Sequence, residues 1–110
     1  MAEYTQVPSA NVFAKPENLN FDETAALGTS WLTAYSLLFT SANVKPGDTV
    51  LVQGAGGGVS TAAIQLAHAA GLEVFVTSRS EDKRNRALEI GADAVFESGA
   101  RLPHKVDAVI

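Results

Sequence analysis

At 110 residues the chain has the length of one domain. Its apolar share of 46% is enough for a packed core and too high for a disordered chain, while a formal charge of −4 gives no sign of nucleic-acid binding. The absence of cysteine excludes disulfides and any thiolate metal site within the chain. No basic region followed by an apolar run marks the N-terminus, and no apolar stretch approaches the roughly 20 residues needed to span a bilayer. A cytoplasmic protein without membrane attachment is the expectation.

Residues 1–21 read as irregular, with a short strand predicted over 4–7 and stopped by Pro8. Asp22 stands where a helix N-cap would, with Glu23 in the first turn. A helix is predicted over 25–41, its apolar positions being Leu27, Trp31, Ala34, Leu37 and Leu38. The loop 42–48 ends in a Pro-Gly turn. Thr49-Val50-Leu51-Val52-Gln53 is short and mostly apolar, as suits a strand buried on both faces of a parallel sheet. A glycine run leads to a second helix predicted over 61–70, with Gly71 at its left-handed C-terminal position. Glu73-Val74-Phe75-Val76-Thr77 is the second strand. Ser80 caps a third helix that ends at Gly91, Ala94-Val95-Phe96 is a third strand, and 106–110 a fourth. Strand and helix alternate at the spacing of βαβ units, so the fold class is α/β: an incomplete Rossmann-like parallel sheet of about four strands with flanking helices, in the expected order 3-2-1-4.

The run Gly54-Ala55-Gly56-Gly57-Gly58-Val59-Ser60 follows a predicted strand and opens a predicted helix, the context in which a glycine pattern signifies more than a tight turn. A phosphate can approach a backbone only where no Cβ stands in the way, and the helix beyond directs free N–H groups and a positive dipole end at the anion. Dinucleotide binding is therefore expected at Gly54, Gly56, Gly57, Gly58 and Val59. Ser60 occupies the position of the usual third glycine and is small enough to shift the helix only slightly. A G-x-S-x-G nucleophile elbow is not formed, because Ala62 stands two residues after Ser60.

In NAD-binding versions of this unit a carboxylate about 20 residues after the glycines holds the ribose 2′-OH. Here the second strand ends Thr77-Ser78-Arg79-Ser80, with no carboxylate at its tip. A 2′-phosphate suits Arg79, the hydroxyls of Ser78 and Ser80, and Lys83, which favours NADP(H) over NAD(H). Arg84 and Arg86 are expected on a solvated helix face. His68 and His104 lie far apart and are expected to be surface residues; no metal site and no catalytic residue is predicted in this chain.

The run from Pro46 to Val59, then Ala63-Ile64-Gln65-Leu66-Ala67, together with Leu32-Thr33-Ala34-Tyr35 and Leu88-Glu89-Ile90-Gly91-Ala92-Asp93, resembles the medium-chain dehydrogenase/reductase superfamily. The flavour is that of quinone oxidoreductases and zinc-binding dehydrogenase-like proteins more than of classical alcohol dehydrogenases. The resemblance implies hydride transfer between NAD(P)H and a carbonyl, an activated alkene or a quinone as small-molecule substrate. It places Thr33 beside the nicotinamide. Classical zinc members have a cysteine ligand four residues before that threonine; here Thr29 stands there, so zinc is not expected. The resemblance further implies that residues 1–21 connect from a catalytic domain and that 22–110 form the first half of the nucleotide domain. Such a fragment is expected to be inactive alone and to self-associate through its fourth strand. A non-catalytic nucleotide-binding or sensor module with the same fold is the alternative.

Overall fold

The computed structural model describes residues 3–110; Met1 and Ala2, at the start of the expected connecting segment, lie outside them. Residues 3–20 hold a single 3-10 turn at Ser9–Asn11 and no strand. The strand expected over 4–7 does not form, since no described segment pairs with it and Pro8 offers no donor.

The first helix starts earlier than its sequence cues suggest. Its N-cap is Asn20, not Asp22: the Asn20 carbonyl Oδ1 accepts from Glu23 N at 2.8 Å, and Glu23 Oε1 accepts from Asn20 N at 3.2 Å. This reciprocal pair satisfies two otherwise orphaned donors, which Asp22, already inside the first turn, cannot do. Helix α1 then runs through residues 21–41 in four abutting stretches. Phe21–Ala26 and Leu32–Tyr35 are α-helical, while Leu27–Trp31 and Ser36–Ser41 are π-wound. Ala34 and Leu38, one turn apart, are the fully buried positions. Leu37, one of the expected apolar positions, is 37% exposed and lies in the π-wound stretch.

Strands β1 (Thr49–Gln53), β2 (Glu73–Thr77), β3 (Ala94–Phe96) and β4 (Ala108–Val109) form one parallel sheet in the order β3-β2-β1-β4. β4 is shorter than the expected 106–110, although Asp107 N and Ile110 N also donate to β1, to Thr49 O and Leu51 O, both at 2.8 Å. Helix α2 (Gly58–Ala69) begins three residues before the predicted start, directly out of the glycine turn. Helix α3 (Glu81–Ile90) has its expected caps, Ser80 and Gly91.

One face of the sheet is the main core. Val50, Val52, Val74 and Val76 are fully buried there with Ala62, Ala63, Ile64 and Ala67 of α2, and Ala34, Leu38, Ala55 and Ala87 belong to the same cluster. Alternation sends Thr49, Leu51, Glu73 and Phe75 to the other face. No helix covers that face among the described residues. The eleven-residue connection 97–107 lies on it instead, with the His104 ring 5.2 Å from Phe75, which also meets Phe96 edge-on at 5.4 Å. The strand order reverses direction between β1 and β4, and the carboxyl ends of β1 and β2 open beside that point, where ligands of open α/β sheets bind.

Candidate functional site

The chain must leave β1 at Gln53 and enter α2 within a few residues. It does so with Gly54 at φ +77° and Gly56 at φ +101°, a region that costs an L-residue roughly 1–2 kcal/mol. Gly54 N and Ala55 N both donate to Thr77 O, at 2.9 and 3.4 Å, which ties the turn to the tip of β2. Ala55 is buried in the core and anchors the turn from below. Gly57 is the extended N-cap of α2 and no side chain caps it. The N–H groups of Gly58, Val59 and Ser60 are thus without intrahelical acceptors and sit at the positive end of the dipole.

The four glycines differ in what their missing side chains leave open. A Cβ at Gly54 would meet nothing within 4 Å, and one at Gly57 would meet only Ser60 Oγ at 3.9 Å. These two present bare backbone to open space, a cradle that fits a diphosphate. At Gly58 a Cβ would stand 2.7 Å from Ser30 Oγ, so this glycine admits α1 against the start of α2. At Gly56 it would stand 3.0 Å from Lys83 Cδ.

The tip of β2 is a hydrogen-bonded turn. Ser78 N donates to Phe96 O at 3.1 Å, Ser80 N to Ser78 Oγ at 3.2 Å, and Lys83 N to Ser80 Oγ at 3.3 Å. Ser78 is buried within the turn while Arg79 and Lys83 are exposed around it. No carboxylate stands from Thr77 to Ser80; Glu81 and Asp82 follow in the first turn of α3. The glycine turn thus adjoins the β2 tip, with Gly54, Gly56, Gly57, Arg79 and Lys83 at its surface, Ser78 buried beneath and Gly58 packed against α1. Val59 is half-buried at its edge. Thr33 is exposed on α1, three residues beyond the Ser30 that abuts Gly58.

Arg84 departs from its expected place on a solvated face. It is half-buried, and its Nη1 donates to Ser78 O at 2.7 Å, bracing the turn that carries Arg79. Arg86 does lie on that face, paired with Glu89 at 3.2 Å. Ser30 is likewise not readable from the sequence as a site neighbour, since its role depends on how α1 crosses α2. Both histidines are exposed. His68 packs its ring over Gly91, where a Cβ would approach its Cγ to 2.9 Å. His104 lies at the opposite end of the sheet from the glycine turn, its Nδ1 2.8 Å from Lys105 O and its Nε2 2.8 Å from Glu73 Oε1. The bond to the Lys105 carbonyl, aided by Glu73 and Asp107, holds its pKa above the ordinary 6.5 against a smaller lowering by desolvation. Among the described residues no helix is long and apolar enough to cross a membrane.

Comparison with known proteins gives a consistent picture. Residues 58–110 match the zinc-binding dehydrogenase family. The quinone oxidoreductase of Pongo abelii is 45% identical over 95 residues, which are 86% of this chain and 29% of that protein. Among solved structures, an NAD-dependent alcohol dehydrogenase superposes with a TM-score of 0.79 at 46% identity, over 86% of this chain and 27% of that one. The quinone oxidoreductase of Thermus thermophilus, solved also in complex with NADPH, gives 0.75 at 40% identity, over 83% and 30%. The chain thus spans about three tenths of the length of these relatives, and the two structural neighbours differ in the nicotinamide nucleotide they are named with.

Proposed function

The chain belongs to the medium-chain dehydrogenase/reductase superfamily, and from that premise we propose that it holds the cofactor of an NADP(H)-dependent oxidoreductase acting on a carbonyl, an activated alkene or a quinone. One observation carries the choice of nucleotide: the open glycine cradle is hydrogen-bonded to a β2 tip that offers Arg79 and Lys83 and no carboxylate. The likeness to quinone oxidoreductases supports the quinone among the substrate classes.

In this reading the cofactor supplies the hydride, and the chain supplies position and charge. Gly54 and Gly57 admit the diphosphate to the backbone, where the first N–H groups of α2 donate to it. Arg79 and Lys83 receive the 2′-phosphate on a turn shaped by Ser78 and Ser80. Thr33 stands on α1, whose Ser30 abuts Gly58, and by the family resemblance it would lie beside the nicotinamide. Residues 22–110 are then the first half of the nucleotide domain and 1–21 its connection to a catalytic domain. Zinc has no part in this reading, because position 29 is threonine.

The test is a fluorescence titration with both nucleotides. NADPH should bind at least several-fold more tightly than NADH, and Arg79→Ala should narrow the gap. Equal or tighter binding of NADH by the unaltered protein overturns the reading.

A further inference from the structure

Ser60 stands where the dinucleotide fingerprint has its third glycine, a residue that keeps the helix close to the strand before it. That closeness is not lost here. Ala62 and Ala63, in the next turn of α2, are fully buried in one cluster with Val50 and Val52 of β1. The serine is accommodated, half-buried, and its hydroxyl has a place of its own. Ser60 is the third residue of α2 after the N-cap Gly57. Side chains of a helix lean toward its N-terminus, so one at this position reaches back over the first turn, as in a capping box. Ser60 Oγ is 3.9 Å from the point where a Cβ of Gly57 would stand, and no other atom outside Gly56, Gly57 and Gly58 comes within 4 Å of that point. The hydroxyl thus borders the open side of the turn.

A serine inside a helix can bond back to a carbonyl one turn earlier. Ser60 makes no side-chain hydrogen bond among the described residues, and Gly57 O, three residues before it, already accepts from Thr61 N at 2.9 Å. Among the described residues no buried side-chain oxygen lacks a partner, so the unbonded Ser60 Oγ meets solvent. We propose that Ser60 holds the cofactor diphosphate through its side chain: the hydroxyl donates to a phosphate oxygen seated at Gly57, beside the first N–H groups of α2. A glycine at this position offers only its backbone N–H, whereas serine adds a charge-assisted bond from a second donor. The inference rests on the cofactor reading above. It concerns the diphosphate, which both nucleotides share, and not the 2′-phosphate at the β2 tip.

Calorimetric titration with two part-ligands separates this contact from the β2 tip. ADP-ribose carries the diphosphate and no 2′-phosphate; adenosine 2′-phosphate carries the reverse. Ser60→Ala and Ser60→Gly should each weaken ADP-ribose roughly tenfold and leave adenosine 2′-phosphate unchanged, while NADPH and NADH weaken by the same factor. Ser60→Thr, which keeps the hydroxyl, should retain most of the affinity. Ser60→Gly decides most sharply, because it restores the fingerprint glycine. If the serine is merely tolerated, that variant binds ADP-ribose as tightly as the unaltered protein or more so, and this result overturns the proposal. Equal weakening of both part-ligands overturns it too. If the unaltered protein binds ADP-ribose but does not prefer NADPH, the NADP(H) reading fails and the Ser60 variants still decide this contact. If it binds no ADP-ribose, the diphosphate cradle fails and this contact with it.

Discussion

Gly58→Ala tests how α1 and α2 are fitted together. Gly58 opens α2, and its backbone is not left-handed, so alanine should by itself gain about 0.5–1 kcal/mol over glycine. Against that gain, the new methyl arrives 2.7 Å from Ser30 Oγ. Overfilling a packed contact costs about 1–3 kcal/mol. The expected net loss is about 1 kcal/mol, a fall of roughly 4 °C or more in Tm for a domain of this size. Ser30 Cβ, at 3.5 Å, is in ordinary contact, so the hydroxyl alone is the obstacle. Ser30→Ala should therefore remove the penalty, and Gly58→Ala made in that background should stabilise. Urea unfolding of the four proteins in this double-mutant cycle measures the coupling, expected at about 1–3 kcal/mol. Additivity within about 0.5 kcal/mol would refute the contact and with it the docking of α1 described above.

The other expectations concern the supports around the site. Arg84→Met should cost about 1 kcal/mol after allowance for partial exposure, because Ser78 O loses its charge-assisted donor; Arg84→Lys should recover part of it, and unchanged urea midpoints in both would show that the brace carries nothing. His104 has both ring nitrogens against oxygens, so only the imidazolium donates to both. Its raised pKa means that its contribution to stability is complete below about 6.5 and fades as pH rises through the folded value, a loss that Glu73→Gln should diminish in thermal melts from pH 5.5 to 8.5; a Tm difference between the two proteins that does not change with pH contradicts it. The edge of β4, with Val109 55% exposed, should pair with a second copy of this 110-residue chain, and Val109→Lys should weaken that association in sedimentation; one monomeric species up to high micromolar concentration excludes it.

How much of this is legible in the sequence depends on the range of the interaction. The bounds of β1, β2 and β3 are readable because each is a short, mostly apolar run, β-branched at three of five positions in β1 and β2, followed by glycine or polar residues. The caps Ser80 and Gly91, and Gly71 after α2, are readable for the same local reason. Asn20 escapes a reading that stops at Asp22, although its cue is present: Asn20 and Glu23 stand three apart, the spacing of a capping box, and Asp22 has no such partner to reach back to it. The start of α2 reads late because glycine disfavours a helix interior, while at its first turn that penalty is outweighed by the need for a bare backbone beside α1.

The functional surface divides along the same line. Its proposed ligand-facing members are visible, since an anion site needs particular residue types at particular spacings and those are properties of a string. Its supports are not. Arg84 reads as a solvent residue from helix periodicity, yet the carbonyl it braces belongs to a turn whose shape is set by Ser78 N bonding to Phe96 on a different strand. Ser30, within the π-wound stretch Leu27–Trp31, meets Gly58 across the packing of two helices 28 residues apart in the chain. His104 reaches Glu73 because the connection 97–107 lies on a sheet face that no helix covers among the described residues. In each case one partner sits more than five residues away, and the residue type alone says nothing about which partner it will find. The same holds for Lys83: its charge foretells a phosphate, but only the fold brings its stem beside Gly56, 27 residues away in the chain.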